Sequence, residues 1–506
     1  MTRAEPVTGA EPVTGAEPVT RAEPVTRAEP LTRAEPLTRA EPLTRAEPVT
    51  PVDVTVVGLD AAGAPPHPAL APVLAAAGLV VGAARHLAAV PVPADADIVT
   101  LGPLAPALRR LAEAVDAGVP AVVLASGDPG LFGIVRRLRA AGLPLRVVPA
   151  VSSVAAAFAR VGLPWDGAAV VTAHGRDPRT AVNACRALPL VAVLTAPGAG
   201  AAELGAGLIG WSRRLLVAEH LGTAAERVRA VTAEQATAET WADPHVLLSV
   251  ADSGPAGSGP TDAGFAESRP TDAGSRPTDA GPAGSGPTLA GSAGSRPTDA
   301  GSAGADPGTV GGMRVDNQPA AAPAGGWALP ESRYAHRDSM ITKSEVRALV
   351  VARLRPRLGR LIWDIGAGSG SVGIECALLG AAVLAVEQDP EAGVTIRANA
   401  AAHAVHVRLV TGRAPAALAG LPEPDAVFVG GGGVDVLAAV VARRPERVVL
   451  TLAAVDRVAP SVGLLRAAGY TVEGSQLSAA RLTDLPGGSI RLAATNPVVV
   501  LTGERP

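Results

Sequence analysis

The chain of 506 residues predicts an α/β protein with two folded blocks: a two-lobed N-terminal block, and a C-terminal block with a Rossmann-like, seven-stranded sheet. Three observations carry this. Short apolar runs alternate with helix-periodic segments over residues 51–250 and again over 327–506. A glycine turn, Asp364-Ile-Gly-Ala-Gly-Ser-Gly370, leaves the apolar run 361–363, and Glu387 closes the next apolar run, 382–386. Finally, residues 1–50 and 251–326 are low-complexity sequence with almost no large apolar side chains, so neither stretch can build a core.

Composition narrows the function. A chain this long exceeds one core, while a net charge of −3 and a pI near 6.3 leave no electrostatic footprint for nucleic acid. Small-molecule partners are therefore expected. Cys185 and Cys376 fall in different blocks, which predicts buried, unpaired thiols and a reducing, cytoplasmic setting. The apolar window 427–442 contains four consecutive glycines and Asp435, and no window supplies the roughly 18 apolar residues that a membrane span needs. The N-terminus lacks the basic start and apolar core of a secretory signal.

Residues 3–50 are eight copies of a hexapeptide beginning Arg3-Ala-Glu-Pro-Val-Thr8. Proline at every sixth position forbids a helix, which predicts an extended, disordered tail. The first block, 51–250, carries candidate strands at 52–57, 119–124, 145–148, 169–173, 190–194 and 215–219, with the loop chemistry changing after the helix-like stretch 154–161. A disordered linker is expected over 251–326, where Pro-Thr-Asp-Ala-Gly recurs. The second block, 327–506, offers strands at 361–365, 382–387, 405–410, 425–429, 447–452, 470–477 and 497–502. Helices are expected between the first six, and only a loop between the last two. That predicts an antiparallel seventh strand.

The strand ends carry the chemistry. In the second block, Gly366, Gly368 and Gly370 let backbone approach a ligand, Asp364 suits a ligand amino cation, and Glu387 suits the hydroxyls of a ribose. Gly412 and Ala414 are expected around an adenine, with Asp425 and Gly430 completing the pocket. An acid two residues before the first glycine favours a methyl-donor nucleoside over a dinucleotide. Gly368, Gly370 and Gly373 nevertheless also fit the dinucleotide pattern, so a nicotinamide-dependent oxidoreductase is the rival enzyme reading. A binding scaffold strung between flexible repeats is the rival outside catalysis. In the first block, Ser126-Gly-Asp-Pro-Gly130, Gly58, Val151-Ser-Ser153, His174-Gly-Arg176 and Thr195 all follow candidate strands.

Ser126-Gly-Asp-Pro-Gly-Leu-Phe-Gly133, Pro149-Ala-Val-Ser-Ser153, Leu163-Pro-Trp165 and His174-Gly-Arg176 together resemble the tetrapyrrole methylase family, in its precorrin-methylating branch. The second block resembles the usual fusion partner, a class I S-adenosylmethionine-dependent methyltransferase and decarboxylase. Arg337-Asp-Ser-Met-Ile-Thr-Lys343, 363–371, Glu387, 425–431 and Asn496-Pro497 carry that likeness. The resemblance covers both folded blocks and neither low-complexity segment. It implies a C-methyltransferase of cobalamin biosynthesis that uses S-adenosylmethionine to methylate carbons 5 and 15 of a precorrin, with loss of the ring C acetate carboxyl. A cobalt-containing precorrin is the alternative substrate. The chain departs from the family pattern at Asp60-Ala61-Ala62, where a second glycine is usual.

On this likeness Gly58, Ser126, Gly127, Asp128, Ser152, Ser153 and Thr195 line one donor site, with Asp128 and His174 as catalytic candidates. His336, Arg337, Asp338 and Lys343 are candidates for decarboxylation or for binding substrate carboxylates. No metal site, membrane or nucleic acid is expected, and a homo-oligomer is.

Overall fold

Near-continuous apolar strands need cover on both faces, and the computed structural model supplies it with helices on both sides of parallel sheets. It describes residues 54–60, 70–252, 327–337 and 341–506. The hexapeptide repeats, Gly63, Asp338 and all but the first two residues of the expected linker lie outside the described residues.

The chain begins β1 (Val54–Leu59), α1 (Ala71–Ala75), β2 (Leu79–Gly82), α2 (Ala84–Ala89), β3 (Asp97–Thr100), α3 (Leu104–Asp116), β4 (Ala121–Ser126), α4 (Val135–Ala140) and β5 (Leu145–Val148). These strands form a parallel sheet in the order β3-β2-β4-β1-β5. The next elements are α5 (Ser153–Val161), β6 (Ala169–Thr172), α6 (Pro178–Ala187), β7 (Leu190–Leu194), α7 (Ala201–Leu208), β8 (Arg213–Glu219), β9 (Arg227–Thr232), α8 (Ala233–Ala238) and β10 (His245–Ala251). They build a mixed sheet, β6-β7-β10-β8-β9, in which β10 runs antiparallel to both neighbours. The two sheets are the two expected lobes. Strands β2, β3, β9 and β10 go beyond the expected set: β3 is a short, largely exposed edge, and β10 ends where the linker composition begins.

The second half contains α9 (Ser344–Leu354), β11 (Leu361–Ile365), α10 (Ser371–Leu378), β12 (Ala382–Glu387), α11 (Pro390–Ala402), β13 (Arg408–Thr411), β14 (Ala426–Val429), α12 (Val434–Ala442), β15 (Arg447–Leu452), α13 (Val458–Ala467), β16 (Thr471–Leu477), β17 (Ala480–Asp484), β18 (Ile490–Ala494) and β19 (Val498–Glu504). Seven of these strands form one sheet, β13-β12-β11-β14-β15-β19-β16. Strand β19 is antiparallel and sits between β15 and β16, because the link from β16 carries no crossover helix. That link holds the hairpin β17–β18 in place of a plain loop, and β13 leads to β14 through a single 3-10 turn, Ala416–Leu418, in place of the expected helix.

Side chains alternate across β11: Leu361, Trp363 and Ile365 enter one core and Ile362 the other, all at most 1% exposed. The described residues fall in one compact unit, and α6 shows why. Its Asn183 amide donates to the Gly359 carbonyl at 3.0 Å, just before β11, while Ala187 and Trp211 join the core beneath Trp363. Trp211 is flanked by the guanidinium groups of Arg186 at 5.0 Å and Arg408 at 5.6 Å. Cys185 and Cys376 are buried and unpaired, and burial pushes the Cys185 thiol up to about 11. Among the described residues no helix is long and apolar enough to cross a membrane.

Candidate functional site

The carboxyl ends of β11, β12 and β14 converge on the glycine turn. Gly366, Gly368 and Gly370 all adopt positive φ, +70°, +59° and +75°, which lets five residues reverse the chain and start α10 at Ser371. A side chain at Gly366 would stand 2.9 Å from the Gly431 amide nitrogen, so two backbones touch there. The Gly430 amide, in turn, donates to the Ile365 carbonyl at 2.9 Å.

Asp364 and Glu387 lie beneath and beside this turn. One Asp364 oxygen, Oδ2, accepts from the Gly373 amide at 2.8 Å, and Oδ1 is buried without a partner. Burial pushes the carboxyl up to about 7, the Gly373 amide opposes that rise, and the charge of Glu387 adds to it. Glu387 is held by three backbone amides: Gly368 at 2.8 Å on Oε2, and Gln388 at 2.8 Å and Asp389 at 3.0 Å on Oε1. Gly412 bonds through its amide to the Glu387 carbonyl at 2.8 Å, and Ala414 packs on the core just beyond it. Asp364, the three turn glycines, Glu387, Gly412 and Gly430 are thus brought to one sheet edge.

Asp425 is the exception and corrects the expectation. It precedes β14, so it stands at the amino edge of the sheet, a strand length of about 13 Å or more from Gly430. Its carboxylate caps the start of β11, accepting from the Leu361 amide at 2.7 Å, and meets Arg179 of α6 at 3.2 Å. It ties α6 to the start of β11, at the opposite edge of the sheet from the glycine turn.

A strap of chain, 334–337, runs along α11. The Tyr334 ring stacks on His403 at 4.8 Å, and Asn399 bonds both backbone groups of Ala335 at 2.8 Å. Arg337 reaches Asp389 and Glu391, each at 3.3 Å, at the other end of the helix. The strap's root is fixed by a fully buried ion pair, Arg347 with Glu375 at 2.6 Å, and Glu375 also accepts from the amides of Ala328 and Leu329 and from the Tyr334 hydroxyl. Arg337 therefore reaches the residues just after β12, with His336 preceding it in the strap, whereas Lys343 sits at the start of α9. Asn399 is a site residue that sequence reasoning misses. An amide in the middle of the small-residue helix Arg397-Ala-Asn-Ala-Ala-Ala402 is its signal, since asparagine competes with the helix backbone.

In the first half, Gly58 closes against its neighbours: a side chain there would stand 2.1 Å from the Gly127 carbonyl oxygen and 2.6 Å from the Ala150 nitrogen. Gly127 in turn touches the Ser152 backbone, and Leu59 pairs with Ser126 in the ladder. Gly58, Ser126, Gly127, Asp128, Ser152 and Ser153 therefore form one cluster at the ends of β1, β4 and β5. Within it Asp128 accepts from the Gly130 amide at 2.8 Å, Ser152 caps α5 through the Ala155 amide at 3.1 Å, and Ser126 meets His86 at 2.8 Å and Arg85 at 3.0 Å. Burial, with help from Arg85, lowers the His86 pKa. His174 and Thr195 follow β6 and β7, strands of the second sheet. His174 is exposed, and the Thr195 hydroxyl donates to the His245 carbonyl at 2.5 Å, which ties β7 to β10.

Residues 68–237 match the family model for tetrapyrrole (corrin/porphyrin) methylases, and residues 333–500 match that for the precorrin methyltransferase domain. A Sinorhizobium sp. protein named precorrin-6Y C(5,15)-methyltransferase (decarboxylating) is 33% identical over 345 residues, 65% of this chain and 67% of its own length. A Pyrobaculum calidifontis protein named probable cobalt-precorrin-6B C(15)-methyltransferase (decarboxylating) is 35% identical over 185 residues, 34% of this chain and 94% of its own. A crystal structure of precorrin-6Y C5,15-methyltransferase from Geobacter metallireducens is 34% identical, covers 35% of this chain and 97% of that one, and aligns with a TM-score of 0.33.

Proposed function

The chain belongs to the precorrin-6Y C5,15-methyltransferase (decarboxylating) family, and from that membership we propose that it methylates carbons 5 and 15 of precorrin-6Y with S-adenosylmethionine and releases the ring C acetate carboxyl as carbon dioxide. This is a step of cobalamin biosynthesis. The observation that carries the donor assignment is the buried, unpartnered Oδ1 of Asp364 beneath a turn whose glycines admit close backbone approach. A buried acceptor of that kind calls for a cationic donor, and an α-amino group supplies one. Glu387, fixed by three amides, keeps accepting capacity for a ribose hydroxyl.

When bound, the sulfonium nucleoside supplies an electrophilic methyl group. The protein's own contribution to that step is to orient the donor and keep water out, which the glycine turn, Asp364, Glu387, Gly412, Ala414 and Gly430 provide in the second half. Gly58, Ser126, Gly127, Asp128, Ser152, Ser153 and Thr195 do the same in the first half, where His174 meets the substrate at the rim. Arg337 and Lys343 bind substrate carboxylates, and His336 is the proton donor when the ring C carboxyl leaves. The first half serves carbon 5, and the second carbon 15 with decarboxylation. In support of that split, a relative matched over only 185 residues is named for carbon-15 methylation and decarboxylation together.

The intact chain is tested with metal-free precorrin-6Y and isotopically labelled donor, followed by mass spectrometry. Two labelled methyl groups and the loss of one carboxyl are expected, and an unchanged macrocycle refutes the reading. Offering the cobalt-containing substrate in parallel tests the alternative that the cobalt-precorrin relative favours. Replacing Arg337 or Lys343 with Met weakens macrocycle binding or decarboxylation on this reading, and unchanged turnover in both variants removes their assignment. Cytoplasmic location and a homo-oligomer belong to the same proposal. The hairpin β17–β18, with Leu482 70% and Leu492 67% exposed, is the surface in favour of assembly, which light scattering tests.

A further inference from the structure

The side chain of Asn399 is 3% exposed and makes three hydrogen bonds in two directions. Toward the strap, Oδ1 accepts from the Ala335 amide and Nδ2 donates to the Ala335 carbonyl, both at 2.8 Å. Toward the glycine turn, Nδ2 donates to the Ser369 carbonyl at 2.8 Å. Helix α11 itself packs on that turn, since a side chain at Gly370 would meet Ile396 at 3.2 Å. One carboxamide thus bridges the turn between Gly368 and Gly370 and the strap that carries His336 and Arg337.

We propose that Asn399 is a positioning residue that couples the donor site to the strap, so that a nucleoside held on the turn orders residues 334–337 before the macrocycle docks. The reasoning is geometric. Ligand contact with the turn restrains the Ser369 carbonyl, which restrains the Asn399 rotamer, which restrains both backbone groups of Ala335. The amide has no freedom to serve one side without the other: its acceptor and both donors are engaged, and it is enclosed by α11, the turn and the strap. Linkage makes the effect reciprocal, so a macrocycle gripping Arg337 tightens donor binding by the same factor. The inference rests on the donor site proposed above, and it adds an order of events and the residue that enforces it.

Hydrogen exchange of the amides of Ala335 to Arg337 in the full chain, with and without saturating S-adenosylhomocysteine, reads this coupling directly. In the wild-type protein the nucleoside slows their exchange by about 10-fold, within the range of measured site-to-site couplings. In Asn399→Leu the nucleoside still binds by calorimetry, but the exchange no longer responds. Asn399→Asp keeps the acceptor for the Ala335 amide but sets a carboxylate oxygen against the Ala335 and Ser369 carbonyls, so the strap amides exchange faster without ligand and likewise show no response. A nucleoside effect of the same size in both variants, or none in the wild type, overturns the coupling. Failure of the wild-type protein to bind S-adenosylhomocysteine at all defeats the donor-site reading itself, and the coupling with it.

Discussion

Replacing Asp364 with Asn tests the donor pocket most sharply, because the carboxyl is buried, half-satisfied and titrates within reach of ordinary buffers. Its pKa moves from 3.8 to about 7 on burial, which corresponds to ~4 kcal/mol of disfavoured charge. A raised acid holds its proton in the folded state while the unfolded chain has already released it. Stability from this group is therefore fully present below pH 3.8 and is lost as pH rises to about 7. A ligand cation competes with that proton for Oδ1. Donor affinity should accordingly improve by about tenfold per pH unit on the approach to pH 7 and level off above it, with close to one proton released per site at about pH 6. The Asp364→Asn substitution removes the competition and the charge-assisted bond together. A hydrogen bond to a charged group contributes about 1.5–3 kcal/mol, so Kd at about pH 8 rises by about 10- to 150-fold and loses its pH dependence. Calorimetry with S-adenosylhomocysteine between about pH 5.5 and 8, in buffers of different ionisation enthalpy, reads both affinity and proton release at the second-half site. A pH-independent wild-type Kd, or a substituted protein that binds as tightly as wild type, refutes the reasoning.

Three further outcomes are expected. Gly58→Ala forces a methyl group to within 2.1 Å of the Gly127 carbonyl oxygen, so donor stoichiometry by calorimetry falls from two per chain to one while the second site keeps its affinity. Arg347→Leu leaves the Glu375 carboxylate buried without its cation and destabilises the second half by about 3–5 kcal/mol, read as a lowered denaturant midpoint, whereas Arg347→Leu combined with Glu375→Leu recovers part of the loss. Asp425→Asn leaves donor affinity at the turn within about twofold, since the residue lies outside the pocket, and lowers thermal stability by weakening the contact with Arg179 and the cap on Leu361, at a cost of about 1–3 kcal/mol.

Much of the second half is legible from the chain alone. The apolar run 361–363, the glycines that follow and Glu387 specify a strand, a turn that only residues tolerating positive φ can make, and an acid at the next strand end, all through local physics. The same holds for Gly58 and Gly127, whose spacing after strands implies the close approach that the packed chain shows. What the chain does not reveal is which end of a strand an acid occupies once register is set. Asp425 reads as part of the pocket by its distance from Gly430, yet it precedes β14, and a strand separates its two ends by its full length. Pairing partners are equally hidden. β10 enters the middle of the second sheet, and β19 slips between β15 and β16, because non-local hydrogen bonding decides strand order. Asn399 and the Arg347–Glu375 pair belong to the same class. A buried polar group is tolerated only where its partners arrive from distant segments, so their meaning arises when α9, α10, α11 and the strap pack together. The sequence by itself therefore determined the α/β class and the strand-end loops, where backbone conformation is the constraint. Tertiary structure decided which polar side chains reach the glycine turn and which ones tie the surrounding segments together, because burial and satisfaction of those groups exist only in the packed chain.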